Sequence, residues 1–267
     1  GVADGVVHLG REASQCTISG LTFIDCDRAC IETDHASDLR IKDCRFNNVG
    51  LAVSLQFSYR VWILDNYINN CKIHGIQFWG NWEFSNKDMA DITITGNQVK
   101  DGGGGAIWGT GAKRVVVANN IVDGAKDVGI DLEWCDDSSI TGNVVKSCIN
   151  GGISLFLSCQ RVSITGNTII NDCPITDPKA DWWVRSGIWL TYPNKEQYKD
   201  DNGHRDIAIV GNTIWCDKGE RRAMWIGSQS KNVLINGNVI NGADIYYGGM
   251  HKTKDPLRKI KQDTIIK

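Results

Sequence analysis

Short runs in which apolar and polar residues alternate, broken by Gly, Asn or Asp, recur from one end of the chain to the other. In Gly129–Asn143, GIDLEWCDDSSITGN, Ile130 and Leu132 alternate with Asp131 and Glu133. This period of two predicts β-strands, and no stripe at helical spacing competes with it. The second half of that stretch returns as CTISGL at Cys16–Leu21, TITGN at Thr93–Asn97, SITGN at Ser163–Asn167, IVGN at Ile209–Asn212 and INGN at Ile235–Asn238. Its first half returns as GIQFWG from Gly75, GISLFL from Gly152 and GIWLTY from Gly187. With the Asn of ITGN as anchor, the slots are Leu21, Cys44, Asn66, Asn97, Asn120, Asn143, Asn167, Asn212 and Asn238, at intervals of 23, 22, 31, 23, 23, 24, 45 and 26. The base period is about 23, and the two long intervals are one rung plus insertions at Gly80–Ala90, Asp172–Arg185 and Tyr192–Arg205. Short strands at a fixed period predict stacked coils of a solenoid.

The alternation also assigns faces. Ile76 and Phe78, Ile130 and Leu132, Ile153 and Leu155, Ile188 and Leu190, and Met224 and Ile226 point inward, each worth roughly 1.5–3 kcal/mol on burial. Their neighbours then point out. The first outward column reads His8, Glu32, Ala52, Gln77, Trp108, Asp131, Ser154, Trp189, Trp225. The second reads Gly10, Asp34, Ser54, Trp79, Thr110, Glu133, Phe156, Thr191, Gly227. Seven of the nine anchors are Asn. Asn tolerates left-handed backbone and can bond the adjacent turn, so the anchors predict a structural amide ladder rather than a binding motif.

Over about residues 5–247 the chain resembles the pectate-lyase-like superfamily, which implies an all-β, right-handed parallel β-helix of about ten coils with loop insertions. Residues 1–250 are read as this domain. Residues 251–267, basic and outside the repeat, are read as a C-terminal cap or tail. The resemblance specifies a fold and leaves the activity open among carbohydrate-active enzymes.

Charge narrows the partners. Net charge is −2, which gives no pull toward nucleic acid or an anionic membrane. No apolar run approaches ~18 residues, so no spanning segment is expected. With 29 Gly and 4 Pro, turns are many and linkers few. The chain opens at Gly1 without a signal peptide, and we expect a secreted, periplasmic or cell-surface protein, monomeric or homo-oligomeric. Of ten cysteines, Cys135 and Cys159 each precede their anchor by eight residues; Cys148 and Cys173 follow theirs by five and six. These predict stacked buried thiols, with disulfides as the alternative. No CxxC or HxxxH spacing points to zinc.

The outward columns carry chemistry that a structural surface would not need. Trp79, Trp108, Trp189 and Trp225 lie on them, and Trp82, Trp134, Trp182 and Trp183 lie beside them. Indole faces stack on the apolar faces of sugar rings; packing beneath the insertions is the other use for such residues. Asp131 and Glu133, two apart on one strand, share a face, with Asp136 and Asp137 in the following turn. Paired carboxylates in a sugar groove point to glycoside hydrolysis, one protonated as acid and one ionised as base or nucleophile. No cofactor is required, although a calcium site built from Asp131, Glu133, Asp136 and Asp137 is the competing use of those oxygens. GIDLEW is similar to a GIWL-acid-W rung of β-helix glycosidases of the β-xylosidase type, which implies a catalytic carboxylate at Glu133. The next coil carries Phe156 where those enzymes place a second acid, leaving Asp131 or an acid such as Asp181 as partner.

Gln77, Asp34 and His35 are read as contributing to substrate binding, the last two in a distal subsite four coils, about 19 Å, from Asp131. Arg185, in an insertion, is a further binding candidate, and His204 lies in another. His74 is read as a turn residue. A polysaccharide lyase is the first alternative, although neither outward column holds Lys or Arg to neutralise a uronate. A non-catalytic carbohydrate-binding solenoid and a sugar epimerase are the others.

Overall fold

A computed structural model describes residues 6–80, 89–173, 186–191, 202–216, 222–249, 258–260 and 265–266. The insertions, and with them Trp82, Asp181, Trp182, Trp183 and Arg185, lie largely or wholly outside the described residues. All regular structure among the described residues is strand, and no helix there is long and apolar enough to cross a membrane.

The strands wind as a parallel β-helix with three faces per coil. One face, called here the ladder face, is a ten-stranded sheet. Nine of its strands stack in parallel, from Thr17–Ser19 through Asp136–Thr141 to Lys231–Asn236. Its tenth, Ile265–Ile266, pairs antiparallel with the last coil. The other two faces share an 18-stranded hydrogen-bonded array, because the long strands Thr22–Asp34 and Arg45–Gln56 run round the corner between them. One of these, the cleft face, carries the GIxL strands, including Ile107–Thr110, Val128–Glu133, Gly151–Phe156 and Ser186–Leu190. Arg258–Ile260 closes its far end by antiparallel pairing with Ile245–Gly248.

The inward residues of all three faces meet in one apolar core. Ile76, Phe78, Ile130, Leu132, Ile153, Leu155, Ile188, Leu190, Met224 and Ile226 are fully buried, as the alternation requires. The first outward column is His8, Glu32, Ser54, Gln77, Trp108, Asp131, Ser154, Trp189, Trp225. Ser54, not Ala52, occupies the third coil, and Gln56, not Ser54, stands in the second column. The two-residue difference arises in Arg45–Gln56, where Gly50-Leu51-Ala52-Val53 imitates a Gly-led start although Ala52, not Gly50, stands level with Gly75.

The anchors form a continuous buried ladder. The Asn143 side-chain amide donates to Val117 O on the preceding coil and Asn167 Oδ1 on the following one, both at 2.9 Å. Its own Oδ1 accepts from the backbone N–H and the side chain of Asn120 at 2.9 and 3.0 Å. The same pattern links Asn66, Asn97, Asn120, Asn143, Asn167, Asn212 and Asn238, and Asn66 accepts from the Cys44 N–H. The left-handed residue is not the anchor but the one before it: Gly20, Asp43, Asp65, Gly96, Asn119, Gly142, Gly166, Gly211 and Gly237 all have φ between 54° and 71°. Turning there frees the Asn to point inward.

A second left-handed column opens the ladder face. Gln15, Asp38, Arg60, Asp91, Arg114, Asp137, Arg161, Asp206 and Asn232 stack with φ between 51° and 60°. Acid and arginine alternate along it. Arg60 grips Asp38 through two bonds of 2.6 Å, Arg114 grips Asp91 at 2.5 and 2.8 Å, and Arg161 grips Asp137 at 2.5 and 3.1 Å. These pairs are exposed, so their worth lies in matching coils more than in net stability. None of the ten cysteines forms a disulfide, and seven of them are buried. Cys135 and Cys159 stack on neighbouring coils, the Cys135 N–H reaching Cys159 Sγ at 3.4 Å.

Asn143→Ala is expected to lower unfolding free energy by about 2–4 kcal/mol, because it strands the buried Asn120 N–H and breaks the amide ladder in its middle. Urea unfolding measures this; a loss under about 0.5 kcal/mol would mean the ladder does not hold the coils.

Candidate active site

Three columns of the cleft face converge on a cavity of about 450 Å³ lined by His74, Trp108, Asp127, Val128, Asp131, Glu133, Asn150, Phe156 and Trp189. Two of these columns follow from alternation: Trp108–Asp131–Ser154–Trp189, and Thr110–Glu133–Phe156. The third lies in the corner just ahead of the strands and brings in His74, Asp127 and Asn150. Their coils are joined by the Asp127 N–H donating to Gly104 O at 3.3 Å and the Asn150 N–H donating to Asp127 O at 3.3 Å.

The walls are aromatic. His74 lies flat on Trp108, with ring centroids 5.3 Å apart and planes 12° apart. Phe156 meets Trp189 edge-on at 4.7 Å. The run Gly102–Gly105 makes the first contact possible, since a Cβ at Gly104 would stand 2.9 Å from His74 Cε1. His74 Nδ1 is 3.2 Å from Gly105 O. A carbonyl can only accept, so Nδ1 carries the hydrogen and the neutral ring keeps Nε2 as an acceptor. Burial pushes the His74 pKa down, which favours that neutral ring.

The two carboxyls are held differently. Asp131 is buried and accepts the Ser154 hydroxyl at 2.6 Å. Burial first, and the Glu133 charge second, raise it well above the carboxylate range despite that bond. Burial also raises Glu133, to about 7, opposed by the Trp108 Nε1–H donated to its Oε1 at 3.2 Å and aided by the charge on Asp127. Burial therefore favours the protonated form of both carboxyls, and Glu133 is near half-ionised at neutral pH.

The other predicted binding residues are not gathered here. Trp225 is buried, donates Nε1–H to Gly248 O at 3.2 Å and lies under the Arg222 guanidinium, so it serves packing. Trp134 is buried in the left-handed corner after its strand. Trp79 is half-buried, and its buried indole nitrogen has no hydrogen-bond partner among the described residues. Asp136 and Asp137 begin a ladder-face strand rather than a turn. Asp137 is held by Arg161, which also lies 3.9 Å from Asp136. They are therefore turned to a different face from Asp131 and Glu133. Gln77 bonds Ser54; Asp34 bonds His35 at 2.6 Å, and His35 stacks on Phe57. None of the three lines the cavity. His204 is buried and lies 3.3 Å from the Thr191 hydroxyl. Alternation could not find His74, Asp127 and Asn150, which lie outside the strands; the polar residue ahead of three of the GIxL strands, at these positions, was the available signal.

The right-handed parallel β-helix is a fold shared with carbohydrate-active enzymes. The chain belongs to the NosD family: residues 4–198 match the family described as periplasmic copper-binding protein (NosD). Among solved structures it is similar to the DFA-IIIase from Arthrobacter chlorophenolicus A6 in complex with GF2, with TM-score 0.72 and 13% identity, over 91% of this chain and 64% of that one. It is also similar to an alginate lyase from Paenibacillus sp. str. FPU-7, with TM-score 0.66 and 11% identity over 91% of this chain and 90% of that one. A mutant of the periplasmic alginate epimerase AlgG gives TM-score 0.64 and 13% identity over 85% of this chain and 50% of that one. At such identities the likeness is one of fold, and the chain spans under two thirds of the DFA-IIIase.

The family description raises copper. Among the described residues no three or more His, Cys, Asp or Glu side chains are grouped to hold a metal ion. Burial raises the Cys71 and Cys148 thiols to about 12 and Cys30 higher, which keeps the soft ligands copper would favour protonated. The described residues do not fit a copper site.

Glu133 sets a stability test. Its ordinary value is 4.5 and its folded value about 7, so between those pH values only the unfolded chain releases the proton. Its contribution is complete below about 4.5 and is lost as pH rises to about 7. Across that window Glu133→Gln should gain on the parent by on the order of 1–3 kcal/mol. Urea unfolding at several pH values checks this, and a constant difference would contradict the burial of this carboxyl.

Proposed function

We propose that the chain is a glycoside hydrolase acting on an oligo- or polysaccharide, with Asp131 as general acid and Glu133 as its ionised partner. The observation that carries this reading is the pair itself: two carboxyls two residues apart in one aromatic-walled cavity, of which Asp131 is the more deeply buried. Asp131 would protonate the glycosidic oxygen as its bond to the anomeric carbon breaks. Glu133 would take the proton of an attacking water, or attack the anomeric carbon itself before water releases the sugar. Trp108 orients Glu133 through the indole N–H, and Ser154 orients Asp131. The indole and phenyl walls suit the apolar faces of a sugar ring. The reaction calls for no cofactor, calcium included. A periplasmic location accords with the family description.

One observation favours elimination as a second reading. Neutral His74 offers an acceptor nitrogen, and protonated Asp131 could hydrogen-bond a uronate carboxylate. Against it, no Lys or Arg is among the described residues lining the cavity.

Incubation with plant, algal and bacterial polysaccharides should release reducing ends without the ultraviolet absorbance of an unsaturated sugar. Absorbance rising with the new ends would replace hydrolysis by elimination, and binding without any product would leave a non-catalytic sugar-binding solenoid. Glu133→Gln and Asp131→Asn should each lower kcat by at least about 100-fold while folding normally. In the parent, kcat/KM should rise with pH through about 7 as Glu133 ionises and fall once Asp131 loses its proton. A flat profile across that range would remove the pair from the mechanism.

A further inference from the structure

Cleavage of a glycosidic bond needs two carboxyls, and this cavity has a third. Asp127 lines it from the corner ahead of Val128–Glu133. The residue is fixed from both sides, its N–H bonded to Gly104 O and its carbonyl to the Asn150 N–H. Its carboxylate is aimed as well: Asn150 Nδ2 donates to Asp127 Oδ1 at 2.8 Å, which leaves Oδ2 for something else. The half-buried carboxylate has no cation beside it among the described lining residues, and the other ionisable groups there are Asp131, Glu133 and His74. Elsewhere the molecule answers its acids with arginines, as the corner column shows.

The chemistry of a fitting ligand follows from this imbalance. A second anion would be repelled by Asp127 in a site that screens poorly. A sugar hydroxyl can donate to the free oxygen but leaves the charge unbalanced. An ammonium group supplies up to three donors and cancels the charge. The sugar ring that carries it would meet the indole of Trp108 and the edge-on pair Phe156–Trp189.

We propose that the cavity takes an unacetylated amino sugar within an oligosaccharide, its ammonium group on Asp127. The proposal rests on the glycosidase reading of the same cavity and adds the class of substrate. Acetylation of the amine removes both the charge and two of the three donors, so selectivity should turn on that one group.

The test is calorimetric titration of the full chain at mildly acidic pH with four tetrasaccharides: glucosamine, N-acetylglucosamine, glucose and galacturonate. The glucosamine tetrasaccharide should bind at least about tenfold more tightly than the other three. Asp127→Asn should remove that preference, so that within the folded variant the glucosamine and glucose tetrasaccharides bind equally. Added salt should weaken only the glucosamine tetrasaccharide, a measurement that needs no variant. Absent glucosamine binding, equal binding of the acetylated form, tighter binding of galacturonate, or a preference that survives in folded Asp127→Asn would each overturn the proposal. Its failure is separable from that of hydrolysis. Cleavage of a neutral saccharide without amine preference would sink this inference alone, whereas amine-selective binding without cleavage by the Asp131–Glu133 pair would sink the hydrolase alone.

Discussion

Seven buried carboxamides, six of them bonded to the coil behind and the coil ahead and the last, Asn238, to the coil behind, are the constraint from which the rest follows. A backbone ladder alone tolerates slippage, because any strand can pair with any other. A buried amide that must find its neighbour's oxygen does not, since a slipped register leaves donors stranded in an apolar interior. With the anchors aligned, every other slot of the repeat aligns too. The inward slots become one core and the outward slots become straight files of side chains.

The cleft exists because of that alignment. Trp108, Asp131 and Ser154 are far apart in sequence yet stacked on consecutive coils. So are Thr110, Glu133 and Phe156. Asp131 receives a hydroxyl from the coil ahead, and Glu133 receives an indole N–H from the coil behind. Opposite neighbours give two similar carboxyls different surroundings, and the deeper burial of Asp131 separates them further. Differentiation of a carboxyl pair by its surroundings is the usual basis of dividing acid from base. The glycine run Gly102–Gly105 plays a quieter part: without side chains it lets His74 close down on Trp108 and finish one wall.

Much of this was legible in the primary structure. The period of about 23, the inward residues of the GIxL strands, the anchor ladder and the common face of Asp131 and Glu133 all follow from alternation plus one repeated tetrapeptide. The register of His8, Glu32 and Trp108 held as well. What alternation misses lies where strands bend. Asp137 read as a turn acid in the binding region, but its partner is an arginine one coil away, 24 residues on. Trp225 occupies an outward slot yet is covered, because a period says which way a side chain leaves the sheet and not what lies over it. Likewise Ala52 and Ser54 were each placed two residues out of phase by a strand that rounds a corner unbroken. His74, Asp127 and Asn150 escaped because the corner column has no alternation to read.

The column of alternating Asp and Arg has a consequence for how such a molecule can change length. Solenoids grow and shrink by gain or loss of whole turns. Here the sign of the corner residue reverses at every turn from Asp38 to Asp206. Excision of one turn from the middle would seat guanidinium upon guanidinium or carboxylate upon carboxylate, at strand-to-strand distance of about 4.8 Å. Excision of two would restore the match. The corner thus imposes a parity rule on the lineage, with turns tolerated in even numbers, and the uncharged Gln15 and Asn232 at its two ends mark where that rule lapses.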